Sequence, residues 1–111
     1  MHRHFEEELS ELKQKLLTMG SLVERALYQS IKALIERDAQ LGLQIFDGEE
    51  AINRLQIEID DRAMRLLALQ QPMATDLRLI AAAVKINNDL ERIGDLCVNI
   101  VQRVLSLINQ P

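Results

Sequence analysis

The chain has 111 residues, of which 48 % are hydrophobic and 27 % charged, with 3 % aromatic and no tryptophan. Four glycines and two prolines are too few for the tight turns of an all-β domain, so helices packed by aliphatic side chains are expected. The net charge of −4, without Lys or Arg clusters interleaved with aromatics, excludes a phosphate-tracking nucleic-acid surface.

A chain of this length buries one modest core, so residues 1–111 are expected to form a single domain. No apolar run approaches the roughly 20 residues that span a bilayer, and the start, MHRHFEEELSELK, is too acidic and polar for a signal peptide. A cytoplasmic location is therefore expected. The lone Cys97 sits in an apolar pattern and reads as a reduced, buried thiol rather than a nucleophile. No role falls to His2 and His4 at the chain start.

The first predicted helix covers about 4–36. Its apolar positions Phe5, Leu9, Leu12, Leu16, Met19, Val23, Ala26, Ser30 and Leu34 alternate four and three apart until the last step, the signature of one helical stripe. Gly20, in mid-helix, suggests a crossing point with a neighbour. The charged stretch 36–38 ends this helix, and Asp38 is a candidate N-cap for the next. The second predicted helix, about 39–69, carries its stripe on Leu41, Ile45, Gly48, Ile52, Leu55, Ile59, Ala63 and Leu66. Pro72 lacks a backbone donor and pushes Gln71 out of the α region, forcing a break. The third helix, about 73–109, then continues through Leu77, Ile80, Val84, Leu90, Ile93, Cys97, Ile100, Val104 and Leu107. Thr75 and Asp76 suit its first turn. Short connections make the three run up, down and up, so the expected fold is all-α, a long antiparallel three-helix bundle.

The polar faces carry the candidate chemistry. On the third helix Asn88, Glu91, Asp95 and Asn99 share one side of a helical wheel, nearly opposite Ile93, Cys97, Ile100 and Val104, and are expected to face away from the core. Glu91 and Asp95 are one turn apart, where like charges repel by a few tenths of a kcal/mol. Lys85 and Asp89 form an i,i+4 pair, and Arg92 is a further neighbour. The second helix has a matching row, Glu49, Asn53, Gln56 and Asp60. An antiparallel hairpin turning near residue 72 sets Glu49 beside Asp95, Asn53 beside Glu91, and Gln56 beside Asn88. Opposed carboxylates and amide oxygens suit a hard or borderline cation. From the residues alone a solvated face is the preferred reading of these rows, because every amphipathic surface helix has one. A ferritin-like di-iron site is excluded, since no histidine falls in these helices. An acid–base enzyme built on Glu91 and Asp95 would need a pocket that a convex face does not offer. Gly94 costs about 1 kcal/mol relative to Ala in a helix, which points to a close approach at that position.

The blocks QPMATDLR (71–78) and DLERIGDLCVNI (89–100), with LLTMGSLVE (16–24), resemble the PhoU family of phosphate-signalling regulators over nearly the whole chain. Members usually contain two three-helix repeats, so this chain resembles one repeat, as a single-repeat protein or a fragment. The resemblance implies metal ions, iron or zinc, held on the bundle surface by E(D)xxxD motifs. Here Glu91 and Asp95 match the third-helix motif. In the second helix LQIEID places Gln56 and Asp60 where ExxxD is usual, so one charged ligand is replaced by an amide and weaker occupancy is expected; Glu49 and Asn53 complete the candidate set. The resemblance further implies a non-enzymatic, cytoplasmic negative regulator of the phosphate-starvation response. Its implied partners are the phosphate ABC transporter and a sensor histidine kinase, with membrane association only through them. Self-association into a homodimer is expected to stand in for the second repeat. The competing expectation is a structural or adaptor bundle that acts by homodimerisation without metal.

Overall fold

The computed structural model describes residues 2–70 and 74–108. Three helices follow in chain order: α1, His2–Glu36; α2, Ala39–Gln70; and α3, Ala74–Ile108. They pack antiparallel in sequence into a rod 63 × 17 × 16 Å, the expected up-down-up bundle. The core runs along its axis, from Phe5, Leu9 and Leu12 through Met19 and Val23 on α1, against Ile45, Ile52, Ile59 and Leu66 on α2 and Ile80, Cys97 and Val101 on α3. Lys15 Nζ reaches Glu58 Oε2 at 2.9 Å, and Arg62 pairs with Glu11, so two ion pairs clasp α1 to α2 outside this core.

Asp38 both closes α1 and opens α2. Arg37 takes φ 53°, the left-handed conformation that turns a helix end. The Asp38 N–H then reaches back to the Ala33 carbonyl at 3.0 Å, the long bond of a Schellman ending. Asp38 Oδ1 accepts from the Leu41 N–H at 3.1 Å, and the Gly42 N–H bonds to the Asp38 carbonyl at 3.1 Å. The N-cap is thus as expected. The expected break at Gln71 and Pro72 lies outside the described residues; Asp76 does stand in the first turn of α3.

The inward line differs from the expected stripes at several positions. On α1 Ala33 is buried and Leu34 exposed, which restores the three-residue step that the choice of Leu34 broke. Gly20 is no crossing point, since a Cβ there would meet open space. On α2 Gly48 is exposed, and the close glycine is Gly42, where a Cβ would lie 3.2 Å from Val101 Cγ1. On α3 Leu77 and Leu107 are exposed, and Ile93 and Ile100 only half-buried, whereas Ala83, Asn87, Gly94, Cys97 and Val101 point to the axis. The cause is volume: large side chains of α1 and α2 such as Met19, Ile52 and Ile59 already occupy the axis, so beyond Ile80 the middle of α3 meets them with small side chains and keeps Ile93 and Ile100 on its flanks. Gly94 is buried against Ile52, where a Cβ would make an ordinary contact at 3.6 Å from Ile52 Cγ2.

An acidic seam between the second and third helices

Helices α2 and α3 run antiparallel, and three pairs fix their register. Gly42 faces Val101, Ile52 packs on Gly94, and Asn87 meets Gln56. The hairpin register on which the expected rows depended is therefore present within a few residues. Shifting the inward line of α3 toward Asn87 and Gly94 rotates Glu91 with it. Glu91 is half-buried at the seam rather than facing away from the core, while Asp95, Asn88 and Asn99 are exposed.

The six candidates divide into two groups along the seam. In the first, Glu91 and Asp95 are within hydrogen-bonding reach, and Glu49 on α2 acts on the same carboxylate. Burial, then the hydrogen bond to Asp95, then the negative charges of Asp95 and Glu49 raise the Glu91 pKa above its usual value, against a smaller opposing effect of Arg92. Arg92 itself pairs with Asp89 at 4.0 Å, so the ion pair of Asp89 runs to Arg92. In the second group, about one turn toward the hairpin end, Asn87 Nδ2 donates to the Gln56 backbone carbonyl at 3.0 Å and to Asp60 Oδ1 at 3.1 Å. It is Asn87, not Asn88, that meets Gln56. Asn53 is exposed and Asp60 half-buried.

Sequence reasoning missed Asn87, which is 0 % exposed and leaves its Oδ1 without a partner. Both of its contacts are acceptors, so the amide nitrogen must face them and the oxygen must point elsewhere. The signal was present: Asn87 continues the three-and-four spacing from Ile80 and Ala83 to Gly94 and Val101. Among the described residues, no three His, Cys, Asp or Glu side chains converge closely enough to hold a metal ion. The seam as placed is thus a carboxylate pair with a third acid nearby, and a separate amide–carboxylate clasp. Cys97 is buried; burial raises its pKa, with a smaller opposite effect of a hydrogen bond involving Ser30, so it stays an unreactive thiol.

Residues 16–104 match the family model described as the PhoU domain. The chain belongs to the PhoU family. It is 42 % identical over 108 residues to a Pseudomonas putida protein named phosphate-specific transport system accessory protein PhoU homolog, covering 97 % of this chain and 42 % of the relative. A protein of the same name from Aquifex aeolicus is 38 % identical, covering 94 % of this chain and 47 % of the relative. The crystal structure of PhoU from Pseudomonas aeruginosa superposes with a TM-score of 0.92 at 39 % identity, covering 94 % of this chain and 50 % of that one. The chain therefore spans about half the length of the curated relatives it matches, and the PhoU-like fold of one three-helix unit is shared in full.

Proposed function

We propose that the chain is a non-catalytic regulatory module of phosphate transport, which works with the phosphate ABC transporter and a sensor histidine kinase to hold the phosphate-starvation response off. The observation that carries this reading is the extent of the family match, since relatives named as accessory proteins of the phosphate-specific transport system align across more than nine-tenths of the chain. Among the described residues no helix is long and apolar enough to cross a membrane, so contact with a membrane transporter would be by docking. Two copies of the chain act together in this reading.

The acidic seam supplies the finer part. Glu91 and Asp95, with Glu49 beside them, present only oxygen donors, the set that iron or zinc ions of hard or borderline character accept. Burial first, then Asp95 within hydrogen-bonding reach, raises the Glu91 pKa, so a proton or a cation at this pair would relieve an unfavourable negative charge. An ion there would be held by Glu91 and Asp95, would neutralise the seam, and would complete its shell with water or with Glu49. Gln56 and Asp60 belong to the separate Asn87 group and would contribute less. The absence of a three-residue cluster among the described residues favours the second reading, an adaptor bundle that works without metal.

One experiment decides between them and tests the function. Untagged protein is analysed for iron and zinc and melted with and without Zn²⁺, and wild type is compared with the Glu91→Ala, Asp95→Ala double variant in pull-down of the transporter ATPase. Metal bound by wild type and lost in the variant supports the seam as an ion site. No metal and no change in Tm leaves the adaptor reading, and failure of both proteins to retain the ATPase overturns the transporter role.

A further inference from the structure

The margin between α1 and α2 opens into a groove of about 240 Å³, bounded by Leu22, Arg25 and Gln29 of α1 and by Gln44, Gly48 and Ile52 of α2. The opening has a local cause. The ion pairs Lys15–Glu58 and Arg62–Glu11 set the register of α1 against α2, and continued along the rod that register brings Ala26 level with Gly48. Two small residues therefore face each other, and a Cβ at position 48 would meet nothing within 4 Å. Glycine inside a helix is destabilising relative to alanine, and no neighbour within this chain requires it here.

The charge of the groove is one-sided. The chain has 17 acidic and 13 basic residues, yet no carboxylate lines this groove; Glu24, Asp47 and Glu49 adjoin lining residues in sequence but are not part of its walls. The groove beside Phe5, by contrast, carries Lys13 together with Glu6 and Asp76. Lys15, Arg54, Arg62, Arg65 and Arg92 are each held by a carboxylate, whereas among the described residues the side chains of Arg25, Gln29 and Gln44 have no ion-pair or hydrogen-bond partner. One cation and two carboxamides thus stand around a recess with their hydrogen-bonding capacity unspent.

We propose that this groove binds a phosphate group, with Arg25 as its anchoring cation. A guanidinium presents parallel N–H donors that match two oxygens of an oxyanion. Each glutamine carboxamide adds two N–H donors, and because Gln29 and Gln44 stand on different helices they approach from opposite sides, which suits a tetrahedral group better than a planar carboxylate. Free phosphate at neutral pH also carries a proton that a glutamine carbonyl accepts, and sulfate does not. The aliphatic floor of Leu22, Ile45 and Ile52 strengthens these hydrogen bonds by keeping water from one side. The recess is smaller than the roughly 300–1,000 Å³ of pockets for drug-sized ligands, so it takes the ion itself or the phosphate end of a small ester. The site lies away from the acidic seam and stands or falls independently of the transporter role.

The test is isothermal titration calorimetry of the full chain with potassium phosphate, at ionic strength held constant with KCl. A single exposed cation with neutral donors should give a Kd on the order of 1 mM. Arg25→Gln should weaken binding at least tenfold, and Arg25→Lys, which keeps the charge but loses the fork, should weaken it less. Gly48→Leu fills the recess without changing charge and should abolish binding while far-UV circular dichroism stays unchanged. Arg103→Gln, the same charge change in the groove between α1 and α3, should bind as wild type does. Glycerol 3-phosphate separates the two sources of the group: weaker binding than phosphate assigns the free ion, and equal or tighter binding assigns an ester. No saturable heat up to about 20 mM phosphate, or binding undiminished in Arg25→Gln and Gly48→Leu, would overturn the site. Sulfate bound as tightly as phosphate would overturn the assignment and leave an adventitious ion only.

Discussion

Replacing Glu91 with Gln keeps the side chain's shape and removes one charge from a site already crowded with negative charge. Asp95 one turn away repels Glu91 by about 0.2–0.5 kcal/mol on a helix, and Glu49 adds a smaller contribution from α2. Burial adds a desolvation penalty that acts in the same direction. A gain of about 0.5 kcal/mol in metal-free buffer at pH 7 follows, equivalent to about 2–4 °C in Tm for a domain of this size. The sign with pH is fixed by the raised pKa. In the window between the ordinary value of 4.5 and the raised folded value, the native state binds more protons than the unfolded chain, so stability falls as pH rises. The stability associated with protonated Glu91 is complete below the ordinary value and lost as pH rises through the folded value. The Glu91→Gln advantage should therefore vanish near pH 4 and be complete by neutral pH, measured as thermal melts in EDTA followed by circular dichroism. A Tm difference that does not change between pH 4 and 8, or a Gln variant less stable than wild type at pH 7, would refute the account of the seam. With Zn²⁺ the order should reverse if the seam holds the ion, because Gln removes a charged ligand.

Other substitutions test the frame around the seam. Arg37→Gly should raise stability by up to about 1 kcal/mol in urea titration, since a non-glycine residue at φ 53° carries a steric cost that glycine lacks. Gly94→Ala should stabilise by up to about 1 kcal/mol, because a Cβ meets Ile52 only at 3.6 Å; Gly42→Ala should do worse, with Val101 at 3.2 Å, and equal effects would contradict the packing. Asn87→Ala should cost about 1–3 kcal/mol through two lost hydrogen bonds and a void, and Asn87→Leu should also destabilise, since it removes the same donor from Asp60 and the Gln56 carbonyl and adds bulk at a fully buried position; chemical denaturation checks both, and a Leu variant more stable than wild type would contradict the clasp.

The fold was legible because the chain repeats one instruction. Apolar residues at steps of three and four, the charged stop at 36–38 and the Asp38 cap led to α1 and α2 with little ambiguity, and the bundle followed from short connections. The rotation of α3 was harder to read. Of the residues read as inward, Ile93 and Ile100 mark a flank, while the centre beyond Ile80 is made of Ala83, Asn87, Gly94, Cys97 and Val101. Size misled because residue type reports hydrophobicity, whereas the position of a helix about its own axis depends on how much volume the two facing helices leave. From that one rotation came the misplacement of Glu91 and the choice of Asn88 over Asn87.

The same rotation gives the seam its character. Had α3 turned its large residues fully inward, Glu91 would lie in bulk water, where a carboxylate keeps its ordinary pKa and repels Asp95 weakly. Bringing Asn87 to the axis instead draws Glu91 into the margin between α2 and α3, next to Glu49. It also leaves Ile86, Ile93 and Leu96 on the opposite margin, beside Leu17 and Leu27 of α1. One helix orientation thus produces a charge-crowded edge and an aliphatic edge on opposite sides of α3. The first is relieved by a proton or a cation and the second by another helical surface, and a three-helix unit alone provides neither.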